Sequence, residues 1–132
     1  MEQSLIFIKP DGVERGLVGE VLKRFEQRQI KLKQLELKQL SPDQVDAHYI
    51  EHVEKPFYPN LKKYILSGPV VLMVLEAENV ISIVRKMVGV TNSAEAEPGT
   101  IRGDFALNTS NNIIHASDSP ESAAREIKNF FN

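Results

Sequence analysis

Ser67-Gly68-Pro69 followed by Val70-Val71-Leu72-Met73-Val74-Leu75 sets six apolar residues in a row behind a strong turn signal. Neither alternate set of positions in the run is polar. That is the pattern of a central strand buried on both faces. The run predicts the middle of a sheet, and the rest of the chain is read outward from it.

Upstream, Ser4–Lys9 has the same buried character and stops at Pro10-Asp11-Gly12, a turn. Val18, Val21, Leu22 and Phe25 recur at helical spacing. Ile30–Leu40 alternates apolar and polar residues, as a half-buried strand does. Its phase slips between Leu32 and Leu35, which predicts a bulge. Ser41-Pro42-Asp43-Gln44 is a capping box with proline at the first helical position. A further helical piece, interrupted by Pro56 and Pro59, covers the region from Pro56 to Leu66.

Downstream, Val80, Val84, Met87 and Val88 form another helical stripe. Gly89 to Gly103 has weak periodicity and contains Pro98-Gly99, so it reads as a long loop of the kind that carries function. Asn111–His115 reads as the last strand. Ser119 caps a final helix that turns Ala123, Ile127, Phe130 and Phe131 to the core. The order predicts an α/β (α+β) sandwich: a ferredoxin-like βαββαβ core with a four-stranded antiparallel sheet and added helices. A doubly wound sheet fits less well, because strands are few and no Gly-x-Gly-x-x-Gly follows the first one.

With 132 residues, the chain predicts one domain, 1–132, with a core of its own. Sixteen basic against eighteen acidic residues give a net charge of −2, so no specific nucleic-acid partner is expected. There is no cysteine, hence no thiolate nucleophile or disulfide framework. The longest N-terminal apolar run, Leu5-Ile6-Phe7-Ile8, is too short to cross a membrane, and a cytoplasmic location is expected.

The chemistry centres on Asn112-Ile113-Ile114-His115-Ala116-Ser117-Asp118, followed by the helix start Ser119-Pro120-Glu121. A histidine at a strand end, aimed at a helix N-terminus, stands where anions are favoured. Two readings stand for His115: a hydrogen-bonded structural residue, or a nucleophile toward phosphorus. An imidazole needs no strong base to attack, being largely neutral at pH 7. Glu126, two helical turns beyond Ser119, is a candidate orienting carboxylate; its alternative is a solvated surface acid. Lys9, Arg85 and Arg102 are candidate phosphate cations, though each alone is as compatible with a surface charge. No Walker A pattern is present, so side chains would have to hold the phosphates.

His48-Tyr49-Ile50-Glu51-His52 matches H-x-x-E-H and offers a rival zinc-peptidase chemistry, with His48 and His52 on one helix face. Phe57, with Leu61 four residues on, is either a core aromatic or an exposed stacking platform. Taken alone, a phenylalanine favours the core.

Seven blocks in one order then coincide with a known family. They are Lys9-Pro10-Asp11-Gly12 with Arg15-Gly16-Leu17-Val18-Gly19, His48-Tyr49, Pro56-Phe57 and Ser67-Gly68-Pro69-Val70. Gly89-Val90-Thr91-Asn92, Ile101-Arg102-Gly103-Asp104-Phe105 and Asn112–Asp118 complete the set. Over essentially its full length the chain resembles the nucleoside diphosphate kinases. The resemblance implies ping-pong transfer of the terminal phosphate of a nucleoside triphosphate, mainly ATP, to a nucleoside diphosphate. The alternative is a non-catalytic ferredoxin-like nucleotide-binding module.

Carried over by position, the resemblance makes His115 the phosphohistidine, through Nδ1, and Glu126 its orienting acid. Lys9, Tyr49, Arg85, Thr91 and Arg102 match phosphate contacts. Lys9 and Asn112 match contacts to the sugar hydroxyls. Phe57 matches the base-stacking aromatic, beside Leu61. The resemblance also implies Mg2+ carried mainly by nucleotide phosphates and water, and a homo-oligomer, hexamer favoured and tetramer possible.

Two positions depart from the family pattern. Ala116 replaces a frequent glycine, so ordinary backbone angles are expected there. Ser93 replaces a proline in the loop that meets neighbouring subunits, and the chain ends at Asn132, short of the longer tail of many members. Both leave the oligomer size open.

Overall fold

The computed structural model describes residues 1–131; the chain end at Asn132 lies outside them. Four strands, β1 (Glu2–Ile8), β2 (Lys31–Lys38), β3 (Val70–Ala77) and β4 (Ile114–Ala116), form one sheet in the order β2-β3-β1-β4. Every neighbouring pair is antiparallel. The apolar hexapeptide lies in β3, all six residues are buried, and the strand sits between β2 and β1 as its two-sided burial requires.

The helices divide between the two faces. On one, α2 (Val18–Gln27) and α5 (Val80–Val88) pack Val21, Phe25, Val80, Val84 and Val88 against Ile6, Ile8, Val71 and Met73. On the other, α3 (Pro42–His48), α4 (Tyr58–Ile65) and α7 (Pro120–Phe130) bring Val45, Tyr58, Ile65 and Phe130 onto Leu5, Phe7, Leu72 and Val74. The period-2 alternation of β1 and β3 feeds both cores at once. A ferredoxin-like sheet leaves its second face open; here α3 and α4, inserted between β2 and β3, and α7, after β4, cover it.

Several local expectations need correction. Pro10-Asp11-Gly12 is not a simple turn but the start of a short helix, α1 (Pro10–Glu14), because proline at its first position is already set for helical φ. Gly89–Gly103 is not a continuous loop: it holds a 3-10 turn at Ser93–Glu95 and runs into α6 (Ile101–Phe105), capped by the Thr100 hydroxyl. Gly103 is obligatory there, since a Cβ would stand 1.9 Å from the Glu97 carbonyl oxygen.

The bulge falls where the phase slip put it, between Leu32 and Gln34. But β2 is an edge strand, and Leu35 and Leu37 are 48% and 64% exposed instead of half buried. The last strand begins at Ile114, not Asn111. Ile113 has φ 74°, and the Ile114 N–H donates to the Asn112 carbonyl at 2.8 Å, a γ-turn that no strand can contain. Ala116 has no positive φ, as expected; the unusual angle falls three residues earlier.

The Ser41 capping box is complete: Ser41 Oγ accepts from the Gln44 N–H at 3.1 Å, and Gln44 Oε1 accepts from the Ser41 N–H at 3.0 Å. Ser41→Ala should cost about 1 kcal/mol of stability in urea unfolding. An unchanged midpoint would mean that α3 is held by its packing alone.

Candidate active site

β4 pairs with β1 so that His115 stands directly opposite Phe7. The two rings stack, with centroids 5.0 Å apart and planes 28° from parallel. Phe7 is wholly buried, so it forms a rigid floor under the imidazole. Behind the ring, Nε2 lies 3.2 Å from Glu126 Oε2. The contact falls short of a well-formed hydrogen bond. Glu126 is only 4% exposed, so the surface-acid reading of this residue is wrong. Its other oxygen, Oε1, accepts a 2.6 Å hydrogen bond from Ser117 Oγ, which itself accepts from the Leu5 N–H at 2.9 Å. Burial holds the His115 pKa below its ordinary value, with Glu126 opposing that and the charges of Lys9 and Arg102 adding to it. The ring is therefore neutral near pH 7, with Nε2 turned to the buried carboxylate.

His115 opens into a cleft of about 340 Å³ lined by Lys9, Tyr49, Arg85, Thr91, Arg102 and Asn112 among others. The structure thus gathers residues from six separate segments onto one cavity. Lys9 follows β1 as the N-cap of α1 and is buried, and Nζ donates to Asn112 Oδ1 at 2.6 Å. Burial first, then the Arg102 charge, pulls its pKa down to about 8, with Asp11 partly compensating. Tyr49 follows α3, and burial pushes its phenol well above the ordinary value. Arg85, exposed on α5, donates to the Ala116 carbonyl at 3.2 Å.

Arg102 is less free than a surface cation. Its guanidinium donates to the carbonyls of Gly89 at 3.0 Å, Asn112 at 3.4 Å and Ile114 at 2.6 Å. Burial and the nearby Arg85 lower its pKa to about 10. Thr91 is exposed at the rim, and its carbonyl accepts from Asn112 Nδ2 at 3.5 Å.

A second cavity, about 730 Å³, adjoins the first through Lys9, Tyr49, Thr91 and Asn112, and Phe57 and Leu61 line its far side. Phe57 is 51% exposed, which overturns the core reading. Its prolines hold it at the N-cap of α4, turned to solvent with Lys55 Nζ 5.9 Å from the ring centre.

The H-x-x-E-H reading fails for a geometric reason. Helix α3 ends at His48, so His48 and His52 do not share a helix face. His52 is at the surface, 2.9 Å from Lys55 Nζ. His48 instead points into the site, its ring edge-on to His115 at 4.6 Å. Burial pulls its pKa down to about 2, and a second proton on the adjoining His115 ring and the charge of Arg125 would each oppose protonation further. Ser117 was also missed as a site residue. The only sequence signal was a small hydroxyl two positions after the histidine, which by strand alternation faces the same side.

A ferredoxin-like sheet with a neutral histidine at the mouth of a cation-lined cleft belongs to the class of enzymes that move phosphate between nucleotides. Comparison with known proteins defines the group more narrowly. The family model described as nucleoside diphosphate kinase matches residues 2–132. The nucleoside diphosphate kinase of Methanocorpusculum labreanum is 59% identical over 127 residues, 96% of this chain and 85% of that protein. The enzyme of the same name from Archaeoglobus fulgidus is 53% identical, covering 99% and 87%.

Among solved structures, a nucleoside diphosphate kinase family protein from Babesia bovis superposes with a TM-score of 0.97 at 47% identity, covering all of this chain and 89% of that one. The enzyme of Halobacterium salinarum, solved in complex with CDP, gives 0.96 at 38% identity, covering 99% and 88%. The chain belongs to the nucleoside diphosphate kinase family and is a nucleotide phosphotransferase. Among the described residues, no helix is long and apolar enough to cross a membrane.

The neutrality of His48 has a pH signature. Its folded pKa lies below the unfolded value of about 6.5, so the unfolded chain binds the extra proton. The stability that rests on this group is complete above about pH 6.5 and is lost progressively as pH falls toward 2. Ring resonances of His48 should stay flat in an NMR titration from pH 8 to pH 5. A titration midpoint near 6 would show the ring to be solvated.

Proposed function

We propose that His115 carries the phosphate, in a ping-pong exchange between a nucleoside triphosphate, mainly ATP, and a nucleoside diphosphate. The observation that carries this reading is the asymmetry of the ring: Nε2 lies 3.2 Å from the buried Glu126 carboxylate, on the side away from the approaching phosphate, which leaves Nδ1 to attack. In the first half-reaction the Nδ1 lone pair attacks the terminal phosphorus. The bond from phosphorus to the bridging oxygen breaks, and the diphosphate leaves with that electron pair. The imidazole gains positive charge, with its proton on Nε2, and Glu126 stabilises it there. In the second half-reaction an oxygen of the incoming diphosphate attacks the same phosphorus, the N–P bond breaks, and the neutral ring returns.

Lys9, Tyr49, Arg85, Thr91 and Arg102 hold the phosphates, and Lys9 with Asn112 holds the sugar hydroxyls. Phe57 stacks on the base, with Leu61 behind it. Stacking reads no hydrogen-bonding edge, so many bases are accepted. The cleft's lining mixes cations and hydroxyls with the carboxylates of Glu51, Asp118 and Glu126, and Glu126 is already engaged by Ser117, so Mg2+ would be held mainly through phosphate oxygens and water. Bound that way, the ion neutralises charge on the transferring phosphoryl group. The single domain 1–132 acts in the cytoplasm as a homo-oligomer, a hexamer in preference to a tetramer. The exposed Leu35 and Leu37 on edge strand β2 support self-association.

Incubated with labelled ATP, the protein should gain an acid-labile, base-stable phosphate that chases onto an added diphosphate. His115→Ala should take up none; undiminished label on that variant sinks the reading. Glu126→Gln should lower kcat on the order of 10²-fold with KM little changed. Sedimentation should report six subunits, and a Leu37→Lys variant should shift the particle toward smaller species. A monomer in the unsubstituted protein would end the assembly proposal.

A further inference from the structure

The cluster behind the reacting ring has a property that phosphate transfer does not use. One ligand atom from each of His48, His115 and Glu126 lies within 4.8 Å of the other two. Glu126 Oε2 is 3.2 Å from His115 Nε2 and 3.8 Å from His48 Nδ1. The His48 side chain is 4% exposed, and its Nδ1 has no hydrogen-bond partner. His115 Nε2 is likewise without a well-formed one. Two buried imidazole nitrogens aimed at one buried carboxylate oxygen leave polar capacity unsatisfied, which proteins normally avoid.

One occupant would satisfy all three. A tetrahedral ion with bonds of about 2.0–2.2 Å needs its ligand atoms roughly 3.3–3.6 Å apart, close to the 3.2 and 3.8 Å that separate the carboxylate oxygen from the two ring nitrogens. Two imidazoles and one carboxylate suit Zn2+ or Co2+, and not Mg2+, which prefers an all-oxygen shell. A separate small cavity, lined by Ala47, Ile50, Arg125 and Asn129, reaches His48 and Glu126 without passing through the nucleotide cleft. Arg125 and Lys9 lie close enough to oppose a cation, so the site should be selective for ions that bond strongly to nitrogen.

We propose that His48 Nδ1, His115 Nε2 and Glu126 Oε2 form a site for a zinc-class divalent cation, and that filling it switches off the nucleophile. The ion takes the Nε2 lone pair, and the ring proton moves from Nε2 to Nδ1. Nδ1 then carries a hydrogen in place of the lone pair that attacks phosphorus. The carboxylate that oriented the ring becomes a ligand. The switch rests on the phosphotransfer reading above, whereas the binding of the ion does not.

The test uses chelator-stripped full-length protein without nucleotide, titrated with Co2+ and then Zn2+. One Co2+ per chain, with the visible absorption of a four-coordinate site that Zn2+ displaces, is expected. In the unsubstituted protein, Zn2+ should shift the nitrogen resonances of His48 and His115 and leave those of His52 in place. His48→Gln should weaken Zn2+ at least 100-fold, and His52→Ala should not weaken it. Label transferred from MgATP to protein loaded beforehand with Zn2+ should fall in step with occupancy and return with chelator. No stoichiometric ion, shifts confined to His52, or unchanged affinity in His48→Gln would overturn the site. Full labelling of the loaded protein would overturn the switch. Metal-free protein that takes no label would instead defeat the phosphotransfer reading, with the Co2+ and resonance measurements still deciding the site.

Discussion

One buried guanidinium braces the part of the molecule where phosphate chemistry takes place. Arg102 donates to three carbonyls, those of Gly89, Asn112 and Ile114. These belong to the end of α5, to the turn before β4 and to β4 itself. Two of them flank Ile113, a β-branched residue held at φ 74°. Such an angle is unfavourable by roughly 1–3 kcal/mol and survives only where its surroundings over-determine it. The Lys9 N–H adds a bond to the Ile113 carbonyl at 2.7 Å. Without that brace the turn would relax toward an ordinary strand, and by side-chain alternation His115 would face the opposite side of the sheet.

Behind the histidine the control passes from backbone to side chain. Ser117 links the β1 backbone to Glu126, and Glu126 stands against His115. Phe7 and His48 close the remaining sides of the ring. A side chain enclosed on that many sides has few rotamers left, so the arrangement is present before any nucleotide arrives. Preorganisation of this kind makes an electrostatic site effective, because little has to reorient during the reaction.

The sheet was legible in the sequence because its signals are local. Six apolar residues from Val70 to Leu75 specify a buried strand wherever they occur, and the Ser41 capping box specifies a helix start by its own hydrogen bonds. The exposure of Leu35 and Leu37 was not legible, since alternation says which residues share a face and not whether anything covers it. The turn at Ile113 was hidden for a stronger reason. Isoleucine is among the residues least suited to positive φ, and only the distant Arg102 and Lys9 make it stay there. In the site, His115 was singled out by its flanking residues, but Glu126, Phe57 and His48 changed character once their burial was known. Of the two readings open for Glu126, burial removes the surface acid; of the two open for Phe57, exposure removes the core aromatic; and His48, grouped with His52 in the sequence, belongs with His115.

The isoleucine turn also sets a limit on how this protein can evolve. Glycine at position 113 would remove the left-handed penalty, and by that measure alone the native state would gain stability. The same exchange would delete a wholly buried side chain and loosen the segment that aims the histidine. Selection for heat resistance and selection for turnover therefore pull this position in opposite directions. Lineages adapting to hotter or colder habitats should find their adjustments elsewhere, on the edge strand or the outer helices, where stability can change without redirecting His115.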